Sequence, residues 1–235
     1  MRLLPEHLAR GEHDLMRGLL RGGRLVALGG GMLVAALGAF ALWQFESKLA
    51  TYYVWPLMLA LICVPIFALS ELQDGIGRGR GWIGAALVPP YILRPLMILA
   101  GMALVVQMEW PLLAETAAAV ALGAALIAVL IQAAVLAASL KAEVAPGPRA
   151  YDWRRWFATA LPLLVFAASE LVFQNTDVLA VSFYLTPADV GMYFAAAKTM
   201  SLVMFVHFAV GSAMASRIST MDATGDEAGL KSLIR

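Results

Sequence analysis

The stretch PLLAETAAAVALGAALIAVLIQAAVLAASL, from Pro111 to Leu140, contains one ionisable side chain, Glu115. The hydrocarbon core of a bilayer is about 30 Å thick, and a helix needs roughly 20 apolar residues to cross it. The small residues in the stretch favour close helix packing in lipid, and its residues do not alternate between polar and apolar as a membrane β-strand would require. The stretch therefore predicts a transmembrane helix.

Similar apolar stretches on both sides of it predict a polytopic, all-α membrane protein with about six transmembrane helices. The predicted spans are Leu25–Gln44, Thr51–Leu72, Trp82–Met108, Pro111–Leu140, Trp156 to about Tyr184, and Pro187–Arg217. The third span contains Pro89 and Pro90, and this pair is expected to break its helix, which would leave residues 82–88 near the membrane interface.

The composition of the whole chain agrees with a membrane protein. Of its 235 residues, 61% are hydrophobic and 14% are charged, whereas soluble domains carry about 25% charged residues. These values exclude a disordered chain, a disulfide scaffold and a typical nucleic-acid-binding protein. Cys63, which lies in an apolar run, is the one cysteine, so no cysteine-based metal site is expected.

The distribution of lysine and arginine predicts the orientation of the chain. Residues 1–24 carry several arginines, and the loops after the second and fourth spans are also basic. The loops after the first, third and fifth spans carry Lys48 at most. This alternation places both termini in the cytoplasm. The leucines of residues 1–24 can share one helical face, so this segment is either an amphipathic helix on the membrane surface or a solvated helix or loop.

Two joints between spans have clear sequence signals. Residues 141–155 contain Pro146, Gly147 and Pro148 and are predicted to link two helical bundles. Thr186 is expected to cap a helix that begins at Pro187, with Asp189 in its first turn. The residues after the sixth span, 218–235, are predicted to form a cytoplasmic tail.

Several short motifs resemble those of the polysaccharide flippases, a family within the multidrug/oligosaccharidyl-lipid/polysaccharide exporter superfamily. They are Asp177–Ala180 (DVLA), Asp189–Tyr193 (DVGMY), Ala195–Lys198 (AAAK) and Ile92–Leu96 (ILRPL). The resemblance implies a two-lobe exporter fold in the bacterial inner membrane. Residues 25–140 would be four helices of the N-lobe, residues 156–217 would be the first two helices of the C-lobe, and the chain would be a truncated member.

The same resemblance implies transport of a lipid-linked oligosaccharide by alternating access, as part of polysaccharide or lipopolysaccharide biosynthesis. The expected partners are that substrate, membrane lipids, and a coupling cation or proton. Two alternatives are a drug or cation exporter of the same superfamily and a membrane fragment that does not transport. No nucleotide-binding loop, nucleophile motif or metal-ligand spacing is present in the sequence, so neither enzymatic activity nor a cofactor is expected.

Arg94 is a candidate substrate-binding residue in the third span. If the proline pair breaks the helix, Arg94 lies about one turn inside the true span. Its guanidinium could hold the pyrophosphate of a lipid-linked sugar, because the planar fork matches phosphate oxygens. The alternative is that Arg94 extends towards lipid headgroups at the interface.

The fifth and sixth spans contain a second group of polar candidates. These spans meet in a tight turn near residue 186, so residues whose numbers sum to roughly 372 should lie at one level. Asp177 and Lys198 then differ in level by about one helical turn, a gap that a long lysine side chain can cover. Asp177 is therefore predicted to pair with Lys198 or to share a network with Gln174 and Asn175. Gln174, Asn175 and Lys198 are candidates for substrate binding. Asp177 and Glu170 are candidates for coupling or gating, although the Asp177–Lys198 pair could equally be structural.

Overall fold

The computed structural model describes residues 3–45, 47, 49–144 and 146–200 of the chain. In this part the protein is 86% helical and contains no strands. Five of the described helices are long and apolar enough to cross a membrane. The prediction of an all-α protein with long, membrane-compatible helices is therefore confirmed.

The helices follow the predicted spans closely. In chain order they are α1 (Leu3–Ala9), α2 (His13–Phe45), α3 (Thr51–Gly79), α4 (Ile83–Val88), a π-helical turn (Pro89–Leu93), α5 (Arg94–Gln107), α6 (Ala114–Glu143) and α7 (Trp153–Ser182), followed by α8 over 187–200. The five long helices are α2, α3, the continuous unit from α4 to α5, α6 and α7.

The first long helix begins earlier than the predicted first span. Helix α2 starts at His13 and continues without interruption through residues 24 and 25, so no helix boundary separates the arginine-rich segment from the apolar one. Gly11, with φ +70°, ends the short α1 and reverses the chain before α2. Asp14 in the first turn of α2 complements the helix dipole there.

The expected break at Pro89–Pro90 is wrong, because the helix continues through the prolines as a π-helical turn. In an α-helix the carbonyls of Ala85 and Ala86 would accept hydrogen bonds from residues 89 and 90, and proline has no N–H to donate. Gln132 of α6 supplies the missing donors. Its Nε2 donates to the Ala86 carbonyl at 2.9 Å and to the Ala85 carbonyl at 3.3 Å.

The chain divides into two compact units, and the first one ends at Trp156. Its apolar core is a cluster of four buried side chains contributed by α1, α2, α3 and α6, namely Leu4, Met16, Ile76 and Leu140. Further along the bundle, α2 packs directly on α3, because a Cβ on Gly31 would lie 2.6 Å from Pro65 Cα. The glycine therefore permits the close approach of the two helices.

The second unit begins at Phe157 and contains the rest of α7 and the start of α8. The predicted helix start after the turn is confirmed. Thr186 Oγ1 lies 2.6 Å from Asp189 Oδ2, and the Asp189 N–H points back to Thr186 Oγ1 at 3.4 Å. The remainder of the predicted sixth span, 201–217, and the predicted tail, 218–235, lie outside the described residues.

Candidate functional site

A basic cleft of about 500 Å³ opens between the start of α2, the end of α6 and the linker that follows α6. Arg17, Arg21 and Arg24 are spaced by four and three residues, which places them on one face of α2. Lys141 from α6 and Arg149 from the linker also line the cleft. Five cationic side chains from three segments therefore converge on one cavity.

The linker is fixed against α2, which positions Arg149. Arg17 Nε donates to the Pro148 carbonyl at 2.8 Å, and the Ala150 N–H donates to the Asp14 carbonyl at 3.0 Å. A Cβ on Gly18 would lie 1.7 Å from the Ala150 carbonyl oxygen, so only glycine fits under the linker. The walls of the cleft are thus held by direct contacts that involve both backbone and side chains.

Among the described residues, acids neutralise little of the positive charge in the cleft. Arg17 forms an ion pair with Asp14. Within the described residues, Arg21, Arg24, Lys141 and Arg149 have no ion pair. Clustered like charges repel one another, so this arrangement favours the binding of an anion.

Helix α1 lies beside the cleft and is held by polar contacts of its own. His7 is fully buried, and its Nδ1 lies 2.7 Å from Glu12 Oε2. This hydrogen bond lowers the pKa of the Glu12 carboxyl from its ordinary value. Arg155 at the start of α7 donates to Glu6 Oε1 at 2.7 Å. The contacts tie α1 to the neighbouring chain segments at this end of the first unit.

The continuous helix changes the predicted position of Arg94. The span from Ile83 to Gln107 is 25 residues long, and Arg94 lies about 16 Å from its start, near the midpoint. Its half-buried guanidinium lies 5.0 Å from the centroid of the Phe67 ring, a cation–π contact between α5 and α3. Arg94 therefore lies near the middle of this helix and not one turn from its start, so the position that the expected helix break implied for it is wrong.

Two side-chain hydrogen bonds in the α7–α8 hairpin involve predicted polar candidates of the second unit. Asp177 accepts a hydrogen bond from the Tyr193 hydroxyl at 3.0 Å, and Gln174 donates to Glu170 Oε1 at 3.2 Å. Asn175 instead donates to the Leu171 carbonyl of its own helix at 2.8 Å.

Lys198 lies 5.2 Å from the centroid of the Phe194 ring and interacts electrostatically with Asp177. The direct hydrogen-bond partner of Asp177 across the hairpin is Tyr193, which the sequence analysis missed. Because residues at one level of this hairpin have numbers that sum to roughly 372, Tyr193 lies within one helical turn of the level of Asp177. Considering uncharged partners for Asp177 would have identified it.

No group of three or more histidine, cysteine, aspartate or glutamate side chains that could hold a metal occurs in the described part of the chain. No known protein family, curated protein or solved structure matches this chain.

Proposed function

We propose that this chain is a membrane transporter that moves a lipid-linked oligosaccharide across the bacterial inner membrane in polysaccharide biosynthesis. The proposal includes a sixth span, an exporter-like two-lobe fold with alternating access, and cytoplasmic termini. The single observation that carries it is the polar stripe on α7, which consists of Glu170, Gln174 and Asp177, spaced by four and three residues on one helical face.

The cost of charge in a membrane supports a transport role for this stripe. An ionised side chain at the centre of a transmembrane helix costs roughly 3 kcal/mol on translocon-insertion scales, so such residues usually face a partner or a water-filled path. Glu170 and Asp177 are separated by about 10 Å along α7, and each has a polar partner, Gln174 and Tyr193 respectively. The stripe could therefore line a polar pathway and gate it or couple it to a cation or proton.

Arg94 and Lys198 are the proposed contacts for the anionic part of the substrate. Arg94 lies near the middle of its span, where a guanidinium could hold a pyrophosphate group as the substrate passes. The aromatic rings of Phe67 and Phe194 lie beside these two cations and would partly compensate them when no substrate is bound.

The proposal can be tested with the full chain in proteoliposomes that contain a fluorescent polyprenyl-pyrophosphoryl oligosaccharide. A membrane-impermeant quencher reports the fraction of label in the outer leaflet, so transport appears as exchange between leaflets. We expect exchange above that of empty liposomes. Asp177→Asn and Arg94→Ala should each slow it at least tenfold, the size of effect expected when an interaction of about 1.4 kcal/mol is lost.

Thr176→Ala is the matched control on α7, because among the described residues the Thr176 hydroxyl bonds only to the Val172 carbonyl of its own helix. It should leave exchange unchanged. Absence of exchange with the unmodified chain would overturn the transport proposal. Efflux of a cationic dye without movement of the lipid-linked sugar would instead assign the chain to the drug or cation exporters.

A further inference from the structure

A second, largely apolar cleft adjoins the basic cleft. It encloses about 310 Å³ between α1, α2 and α3, and its apolar lining includes Leu3, Leu4, Leu19 and Leu72. Leu20 lines both cavities, so the cationic cavity and the apolar one adjoin at this side chain. Glu71 and Arg78 also line the apolar cleft, and Arg78 is paired with Asp74.

The charge of the basic cleft suits a ligand with more than one phosphate. Four of its five cations have no ion pair within the described residues, and they come from α2, α6 and the linker. A single monovalent anion would leave most of this charge uncompensated. Two phosphate groups, each able to accept several hydrogen bonds from guanidinium and ammonium donors, would compensate it more fully.

The position of the cleft on α2 suits a lipid rather than a soluble anion. Arg24 lines the cleft, and the apolar, exposed part of α2 begins at the next residue, Leu25. The arginines therefore lie where the apolar part of the span ends, the level at which lipid phosphates are found. The apolar cleft beyond Leu20 offers space for part of a hydrocarbon chain.

We infer that the basic cleft binds the headgroup of a resident membrane phospholipid that carries two phosphates, with one acyl chain entering the adjoining apolar cleft. Arg21, Arg24, Lys141 and Arg149 hold the phosphates, while Arg17 is committed to Asp14 and Pro148 and fixes the linker. The contacts between the linker and α2 fix the walls of the cleft, as suits a lipid that stays bound. The inference does not depend on transport, and lipid binding would stand if the exchange assay failed.

The test measures thermal unfolding of the full chain in a non-ionic detergent while lipid is added. Diphosphatidylglycerol should raise the unfolding temperature in a saturable way, and phosphatidylcholine should not. A juxtamembrane basic residue contributes a factor of several to the affinity for anionic lipid, so the double variant Arg21→Ala/Arg24→Ala should weaken binding roughly 30-fold. Arg21→Lys/Arg24→Lys should retain most of the affinity.

Two further variants separate a built site from diffuse attraction. Arg154→Ala removes an exposed arginine that does not line the cleft and should leave binding unchanged. Gly18→Leu keeps every charge but displaces the linker from α2, and it should abolish saturable binding. Equal weakening by Arg154→Ala, or no effect of the Arg21/Arg24 double alanine variant, would overturn the inference.

Other ligands with the same chemistry provide the last arms of the experiment. Inorganic pyrophosphate should raise the unfolding temperature only at much higher concentration than diphosphatidylglycerol, because it lacks the acyl chain. If it acted at the same concentration, the ligand would be a soluble phosphate and the lipid inference would be wrong. If a polyprenyl pyrophosphate displaced diphosphatidylglycerol at much lower concentration, the cleft would be a substrate site and the resident lipid would be excluded.

Discussion

Replacing Gln132 by leucine should weaken the packing of α6 against the helix that contains Pro89 and Pro90. The variant keeps a similar side-chain volume but removes the donor to the Ala85 and Ala86 carbonyls, which would be left buried between helices. Hydrogen bonds between membrane helices contribute about 0.6 kcal/mol each on average and up to about 1.7. Two lost bonds therefore predict a decrease of about 1–3 kcal/mol in the free energy of unfolding.

One feature of Gln132 places the expected value toward the lower end of that range. Its Oε1 is buried and has no hydrogen-bond partner within the described residues. Leucine removes this unsatisfied acceptor together with the donor, so part of the cost is offset. The measurement is reversible unfolding of the full chain in mixed micelles, followed by far-ultraviolet circular dichroism.

A double-mutant cycle with the prolines tests the cause directly. Pro89→Ala and Pro90→Ala restore backbone N–H groups that can bond to the Ala85 and Ala86 carbonyls. In that background Gln132→Leu should cost less than half of what it costs in the unmodified chain, because the carbonyls no longer need the glutamine. Strict additivity of the changes would refute the reasoning, since it would mean that Gln132 does not replace the missing donors.

Two further predictions concern α2 and its junction with α1. Gly31→Ala should destabilise the chain by about 1–3 kcal/mol, because the added methyl group would collide with Pro65. Gly29→Ala is the control: its methyl group would meet nothing within 4 Å, and it should stabilise the chain by about 0.5–1 kcal/mol. Equal changes in the free energy of unfolding for the two variants would contradict the close contact. Because the bond to His7 lowers the pKa of Glu12 from 4.5, its stabilising effect is present above that value and is lost as the pH falls through the lowered pKa. The protection of the amides of residues 3–12, measured relative to the intrinsic exchange rate at each pH, should therefore decrease as the pH drops below about 4.5, and Glu12→Gln should remove this dependence; an unchanged profile in the variant would exclude Glu12 as the cause.

The sequence predicted the long helices well because their signal is local. A membrane-length run of apolar residues can be recognised without knowing its neighbours, as Pro111–Leu140 illustrates. The helix start at Thr186 and the end of α6 shortly before Gly147 were also predictable, because capping residues and proline–glycine clusters act on the adjacent backbone. The assignment of Glu170, Asp177, Arg94 and Lys198 to a transport pathway stays a prediction.

Features that depend on distant residues could not be predicted. The expectation of a broken helix at Pro89–Pro90 was reasonable from local chemistry, and it failed because a glutamine more than 40 positions away provides the missing donors. The basic cleft was missed for a similar reason. Arg21, Arg24 and Arg149 were weighed only as indicators of orientation, and their convergence requires the linker to lie across Gly18.

The long sequence separation between Arg17 and Pro148, 131 positions, sets an order for assembly during synthesis. The linker emerges from the ribosome only after α6, so the arginines at the start of α2 are uncovered while the first helices insert. In that period they can retain the N-terminus in the cytoplasm, as the proposed orientation requires. Later, the arriving linker encloses the same side chains. A substitution at Arg21 or Arg24 could therefore cause a topological defect in the nascent chain that purified, correctly inserted protein would never reveal.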